Sequence, residues 1–348
     1  MTPLGRGLDG GMSAKPDADR IRAIMRDIPA QLGLTRTDHR YGWPQNVYRF
    51  DHVTSIAEVL RCGRLYSRQR ADELGVLRHD AANPEIIHQS KHAHRYVRLY
   101  FGPRTPMQYN TEGIRPQHAI EDNGAHCPVP VFLLFDGPSL LGCEGVEFSN
   151  GNLAVTGAEI GSNADFLEAM PWDMIYHRGY MPSDAGQKAL IKLHRHAEVL
   201  VEDELELEFL REVVCRTGPE RETLLSLLGT AAHAWEARIR VSQPGEDIFE
   251  RRFYHIDDVQ LVGQDVVVRS RYAYSGPFHV AVHVRDIDTR DTIVKREVDV
   301  ALRLGNFKIS LPSPRVRIAV EIRVEGFLAY SGVLGGQQLY GAHSLFGD

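Results

Sequence analysis

The sequence has no cysteine pair at CxxC spacing. Cys62, Cys127, Cys143 and Cys215 are scattered, which disfavours a zinc site of the usual spacing and a disulfide framework alike. No apolar run approaches the roughly 18 residues of a transmembrane helix. The opening stretch MTPLGRGLDGGMSAKPDADR lacks the apolar core of a secretory signal. A cytoplasmic protein without a membrane anchor is therefore expected. Three catalytic signatures are also missing: the phosphate-cradling GxxxxGK[ST], a GxGxxG after a strand, and the GxSxG nucleophile elbow. P-loop enzymes, dinucleotide-binding Rossmann enzymes and α/β-hydrolases are disfavoured accordingly.

Charge of one sign is lacking only on average. The net charge of -6 argues against a wholly basic nucleic-acid binder. Yet Tyr41 to Asn110 holds ten Lys/Arg against six Asp/Glu, with five histidines among them, while Glu198 to Glu212 is acidic. A basic half on an acidic chain is either a solvated surface or an anion site. His88 and His92 have the i, i+4 spacing of an HExxH helix, but Gln89 stands where that motif needs Glu, so no metal is assigned.

The rest reads as two globular units. Hydrophobic residues make up 43% and charged residues 25%, too much apolar material for a disordered chain. Residues 1 to about 15 read as a flexible leader and 17–34 as a helix capped by Asp17 or Asp19, ended or kinked at Pro29. Asn46–His52, Arg95–Phe101, Pro128–Phe135 and His196–Val201 read as strands, the third apolar enough to be central. Thr54 is expected to cap the helix after the first strand. Ser149-Asn-Gly-Asn152 suggests a tight hairpin to a strand at Leu153–Val155, and Pro219 to about Arg240 a helix. After Ser242-Gln-Pro-Gly245 short alternating runs separated by turn residues predict a β-sandwich. The expected units are a leader and helix over 1–40, an α+β domain over 41–242 and a β-sandwich accessory domain over 243–348, separable near Ser242.

Glu198 is the most informative single residue. It sits in the apolar strand Ala197-Glu-Val-Leu-Val201, where burial of an unpaired carboxylate costs several kcal/mol. Alternation puts it on the face of Leu200, opposite Val199 and Val201, and puts Tyr96 and Tyr100 together on one face of their own strand. An edge strand with Glu198 in water is the alternative. Likewise His52, at a strand end before a helix, is either structural or ligand-facing.

Four segments agree with one family. Val47-Tyr-Arg-Phe-Asp-His52-Val, Arg95-Tyr-Val-Arg-Leu-Tyr-Phe-Gly-Pro-Arg104-Thr-Pro-Met, Val129-Pro-Val-Phe-Leu-Leu-Phe135 and Arg195-His-Ala-Glu198-Val-Leu-Val201 resemble the DarT family over residues 46–215. DarT proteins are bacterial toxins that ADP-ribosylate single-stranded DNA on a base, with NAD as substrate. The resemblance implies an α+β ADP-ribosyltransferase fold around a split mixed sheet. It implies Glu198 as the catalytic residue, with His52, Arg49, Lys91, Arg95 and Tyr100 handling NAD. Arg104, Arg98 and Tyr109 are then the nucleic-acid contacts, in a toxin or phage-defence setting with an antitoxin partner. The family's Arg-rich segment between the first two strands is short here, which leaves the target base, and DNA versus RNA, open. The chemistry suits the residues: a fixed carboxylate stabilises the ribosyl cation formed when nicotinamide leaves. The alternatives are the same chemistry on RNA or protein, and a non-catalytic nucleotide-binding or nucleic-acid-binding module.

Overall fold

In the computed structural model, which describes residues 12–76, 91–120, 125–271, 277–301, 306–336 and 340–346, the apolar alternations become one mixed sheet. The strands up to residue 242 are β1 (Asn46–His52), β2 (Arg64–Tyr66), β3 (Tyr96–Tyr100), β4 (Pro130–Asp136), β5 (Val146–Ser149), β6 (Ile160–Gly161), β7 (Glu198–Glu202), β8 (Glu204–Glu206), β9 (Leu210–Cys215) and β10 (Ile239–Val241), all but β2 and β8 in that sheet. The order is β10-β9-β4-β1-β3-β7-β5-β6, while β2 and β8 pair separately. Neighbours are antiparallel except β9 and β10. β4 is central, as its composition predicts: Val131 to Phe135 are all buried. Between β1 and β3 the register reduces to the pair Tyr48–Tyr100, so the sheet is split there. Alternation is kept through the split. Val97, Leu99, Val199 and Val201 enter the main core, while Tyr48, Phe50, Tyr100, Phe132, Leu134 and Val214 line a second apolar cluster.

Helix α1 (Ala18–Gln31) buries Ile21, Ile24, Met25 and Ile28 and closes within one turn of Pro29. Asp17 stands at its N-terminus, but its side chain accepts no hydrogen bond from the helix; the carboxylate takes the Ala164 N–H at 2.6 Å. Residues 1–11 of the expected leader lie outside the described residues. Its end is not loose: Lys15 is buried, its ammonium donating to the carbonyls of Leu141 (2.9 Å) and Val146 (2.6 Å).

Three local expectations are corrected. Helix α2 (Val53–Cys62) is capped by His52, not Thr54: His52 Nδ1 accepts from Thr54 N at 3.4 Å and lies 2.7 Å from Thr54 Oγ1. The strand after Ser149 is β6, not Leu153–Val155. Gly151 lets the intervening loop press against α3 (Ala185–His194), since a Cβ there would meet Leu193 Cγ at 2.9 Å. Asn152 N then bonds Leu193 O at 3.2 Å. Helix α4 (Gly218–Leu228) stops well short of Arg240, because Gly229 adopts φ +59, ψ −133, where a helix cannot continue.

Beyond residue 242 the alternating runs form β11 (His255–Val262), β12 (Asp265–Arg271), β13 (Pro277–Asp286), β14 (Thr292–Ala301), β15 (Asn306–Ser310), β16 (Ile318–Val324) and β17 (Phe327–Leu334). They make a three-stranded sheet, β11-β12-β15, and a four-stranded sheet, β14-β13-β16-β17, both antiparallel. Val266, Val268, Val280, Val282 and Val284 belong to the same buried cluster as Val97 and Val199 of the large sheet.

Contacts do not thin out at 242. The polar side of α4 docks on β17, where Tyr330 Oη donates to Glu222 at 2.7 Å and Ser331 N to Thr223 Oγ1 at 3.0 Å. The strap from Glu246 to Tyr254 lies on the second face of the large sheet. Its Ile248 and Phe249 are buried against that face, with Phe249 edge-on to Phe132 at 5.2 Å. Each such side chain is worth about 1.5–3 kcal/mol of burial. Among the described residues no helix is long and apolar enough to cross a membrane.

Candidate active site

Tyr100 is opposite Glu198 in the β3–β7 register and opposite Tyr48 in the β1–β3 register. The three therefore form one row across the split. Glu198 is fully buried. Its strand is held from behind: Glu198 N donates to Ser149 Oγ at 3.2 Å, and that hydroxyl donates to Gly151 O at 2.7 Å. Burial pushes the Glu198 carboxyl above its ordinary range; the Arg98 charge and hydrogen bond pull the other way. Arg98 donates to one carboxylate oxygen only, Oε1, with Nε at 3.0 Å and Nη2 closer still. Oε2 is buried and makes no hydrogen bond of good geometry, although the Leu153 amide is near enough to favour the charge. A desolvated carboxylate with one oxygen short of a good hydrogen bond is suited to accept one from a bound molecule.

Among the described residues, the other cation beside Glu198 is already engaged. Arg49 is paired with Asp51 at 2.8 Å and donates to the Arg98 carbonyl at 3.3 Å, closing the split between β1 and β3. Tyr100 is held protonated by burial and then by the Glu198 charge. His196, two residues before Glu198, lies edge-on to Tyr100 at 6.3 Å; burial lowers its pKa to about 4, so the ring is neutral at pH 7.

From His196 a cleft of about 750 Å³ opens. One wall is α3, whose Lys188 and Lys192, with Arg195 just beyond its end, repeat at i, i+4, i+7 on one face. The other wall carries Arg104, Tyr109 and Arg178. Arg104 follows Gly102-Pro103 in the left-handed region, φ 58. This conformation costs a non-glycine residue about 1–3 kcal/mol. It is held there by Gln108 Oε1 on its N–H (2.6 Å) and by the Arg195 guanidinium on its carbonyl. The strap supplies the counter-charge: Arg104 pairs with Asp247 and, at 2.7 Å, with Glu250, and Arg178 pairs with Asp247. Asp247 and Arg251 are themselves left-handed, φ 53 and 54.

The residues singled out by sequence are thus placed unevenly. Glu198, Arg98, Arg49 and Tyr100 come together. Arg98, expected at nucleic acid, is instead on Glu198. Arg104 and Tyr109 line the cleft, Tyr109 half-exposed with the Arg252 guanidinium 3.6 Å over its ring. His52 is engaged as a helix cap. Arg95 is elsewhere: it lies over Tyr96 at 4.7 Å and lines a separate hollow with Lys15, Glu147 and Glu202. Lys91 begins a 3-10 turn, Lys91–Arg95; its side chain lies outside the described residues, as does His88. Missed by sequence were Arg178, Lys188, Lys192, His196 and the strap acids. The i, i+4, i+7 cations were visible as a helix pattern; the acids gave no signal.

A buried carboxylate with an unsatisfied oxygen, beside a cationic cleft, is an arrangement able to meet developing positive charge on an anionic substrate. The comparisons give that arrangement its family. The model of the DarT family, ssDNA thymidine ADP-ribosyltransferase, matches residues 48–247, more than half of the chain. The chain belongs to the DarT family, NAD-dependent ADP-ribosyltransferases that act on thymidine in single-stranded DNA. Among solved structures, Thermus sp. 2.9 DarT with ADP-ribosylated ssDNA is 19% identical, with TM-score 0.47, over 59% of this chain and 96% of that one. The same protein with NAD+ gives 18% and 0.44, over 59% and 98%. Thermosipho africanus DarTG with ADP-ribose gives 15% and 0.43, over 58% and 50%. No curated protein matches the sequence.

Proposed function

We propose that this chain transfers ADP-ribose from NAD to thymidine of single-stranded DNA at the row Tyr48–Tyr100–Glu198. The observation that carries the assignment of Glu198 is its buried, uncommitted Oε2. The bond from ribose to nicotinamide breaks with its electron pair going to nicotinamide, leaving a ribosyl cation. Thymidine supplies the new bond and gives up a proton. Glu198 stabilises the cation and accepts a hydrogen bond from a ribose hydroxyl or the proton of the incoming base. Tyr100 and neutral His196 flank the reacting ribose, and Arg49 approaches the nucleotide from β1.

The cleft cations suit phosphates. Arg104, Arg178, Lys188, Lys192 and Arg195 form a track along which a strand can run, with Tyr109 as a stacking surface for a base. Thymidine rather than an RNA base or a protein side chain follows from the family, whose model covers the site. The enzyme acts where its NAD and DNA are, in the cytoplasm. An antitoxin-type partner that restrains it belongs to the same reading.

The experiment is nicotinamide release with a thymidine-containing single strand, for the wild type and Glu198→Gln. Glutamine keeps the volume and removes the charge that matters as the cation forms. Turnover falls by about 100-fold or more while NAD affinity changes little. Near-normal release by a folded Glu198→Gln protein would remove Glu198 from the mechanism.

A further inference from the structure

Glu198 must be ionised to stabilise a cation, yet its surroundings favour the neutral acid. It is fully buried, and Leu200, Tyr96 and Leu153 cover the neighbouring floor. Among the described residues, the charged and titratable groups facing it are few. From β1 come Arg49 and Asp51, largely cancelling each other at 2.8 Å. From β3 come Tyr100, neutral, and Arg98. Before β7 lies His196, also neutral at pH 7. Arg98 is the side chain that hydrogen-bonds the carboxylate, and both its contacts fall on Oε1. It reaches diagonally, since in register it faces Leu200, and its side chain is about a quarter exposed.

We propose that Arg98 is the positioning residue of this active site: it keeps Glu198 ionised and, by occupying Oε1, turns Oε2 toward the substrate. Arg98 acts through Glu198 and does not itself touch the reacting atoms. The inference rests on the catalytic reading of Glu198 and adds what makes that carboxylate usable.

The test compares the full-length wild type, Arg98→Lys, Arg98→Met, Glu198→Gln and Arg98→Met/Glu198→Gln by nicotinamide release between pH 5 and 9. A guanidinium beside a carboxylate lowers its pKa by about 1–3 units, so losing it moves the acid limb of kcat up by at least about one unit. On the acid side of that limb Arg98→Met loses about tenfold or more and recovers part of the loss by pH 9, while NAD affinity stays within about threefold. Arg98→Lys, a point charge without the fork, falls between. In the Glu198→Gln background the Arg98→Met change has no further effect. A loss independent of pH, a loss expressed mainly in NAD affinity, or an equal loss in the Glu198→Gln background would each overturn the proposal. Activity retained by Glu198→Gln alone would instead overturn the catalytic reading beneath it. Thermal melting of every variant separates these outcomes from unfolding.

Discussion

Glu112 anchors the strap that closes the cleft, and Glu112→Gln reads how firmly. Its carboxylate is fully buried and accepts four hydrogen bonds. Oε1 takes Arg216 Nη1 at 3.2 Å and Arg251 N at 2.9 Å; Oε2 takes Gln108 Nε2 at 2.8 Å and Glu250 N at 2.7 Å. Glutamine replaces one oxygen by NH2, which can only donate. Whichever way the amide turns, two of the four donors lose their acceptor. Each buried donor left unpaired costs about 1–3 kcal/mol. Arg216, itself fully buried, keeps Glu220 at 3.0 Å but loses a compensating charge, so the total is about 3–5 kcal/mol. At roughly 2–4 °C per kcal/mol the melting temperature falls by about 10 °C. Because Glu250 and Arg251 amides are among the donors, hydrogen exchange should quicken first in the strap, ahead of global unfolding. Glu58→Gln, which alters an exposed pair with Arg61, is the control and should be neutral. If Glu112→Gln melts within about 2 °C of wild type with strap exchange unchanged, the four-bond anchor is not holding the segment.

How much of this was legible depended on sequence distance. Alternation placed Glu198 with Leu200 and Tyr96 with Tyr100 correctly, because a strand's faces are fixed by neighbours two residues away. The β-rich end was legible for the same reason, its runs alternating in composition. Arg98 on Glu198 joins residues 100 apart, and a diagonal reach across a pair of strands leaves no local mark. Asp247 lies 143 residues from Arg104, and both need left-handed backbone that their side chains do not advertise. His52 was a genuine ambiguity: the same imidazole at a strand end serves as a cap or as a ligand contact, and only the direction of Nδ1 decides. The breaks at Gly151 and Gly229 could be suspected, since glycine punctuates chains. Gly151 admits a close approach, however, and Gly229 a change of direction, and composition does not separate the two.

The remaining predictions concern charge and the tail. Asp247→Asn/Glu250→Gln strips Arg104 and Arg178 of their carboxylates, so single-stranded DNA should bind more tightly, by a few-fold to about tenfold, with the salt slope steeper by about one; unchanged anisotropy titrations would show that those arginines do not meet phosphate. Glu198 has a folded pKa raised by burial, so its ionisation destabilises the wild type increasingly as pH rises above the unfolded value of 4.5. Glu198→Gln should therefore melt higher than wild type at pH 8, with the gap closing toward pH 4; a gap independent of pH would contradict a desolvated carboxylate. Finally, a chain ending at Ser242 removes more than an appendage. It uncovers Tyr48, Phe50, Phe132 and Leu134 where Ile248 and Phe249 lay, strips Glu112 of two donors, and exposes the side of α4 that meets β17. The two strap side chains alone represent about 3–6 kcal/mol of burial, a large part of a typical folding free energy of about 5–15 kcal/mol. Such a chain should aggregate or bind a hydrophobic dye and release little nicotinamide, whereas one ending just after Tyr254 keeps the strap and should fare better. A soluble, cooperatively melting and fully active 1–242 chain would show that the strap is covering and nothing more, and that the boundary read from composition is also the boundary of folding.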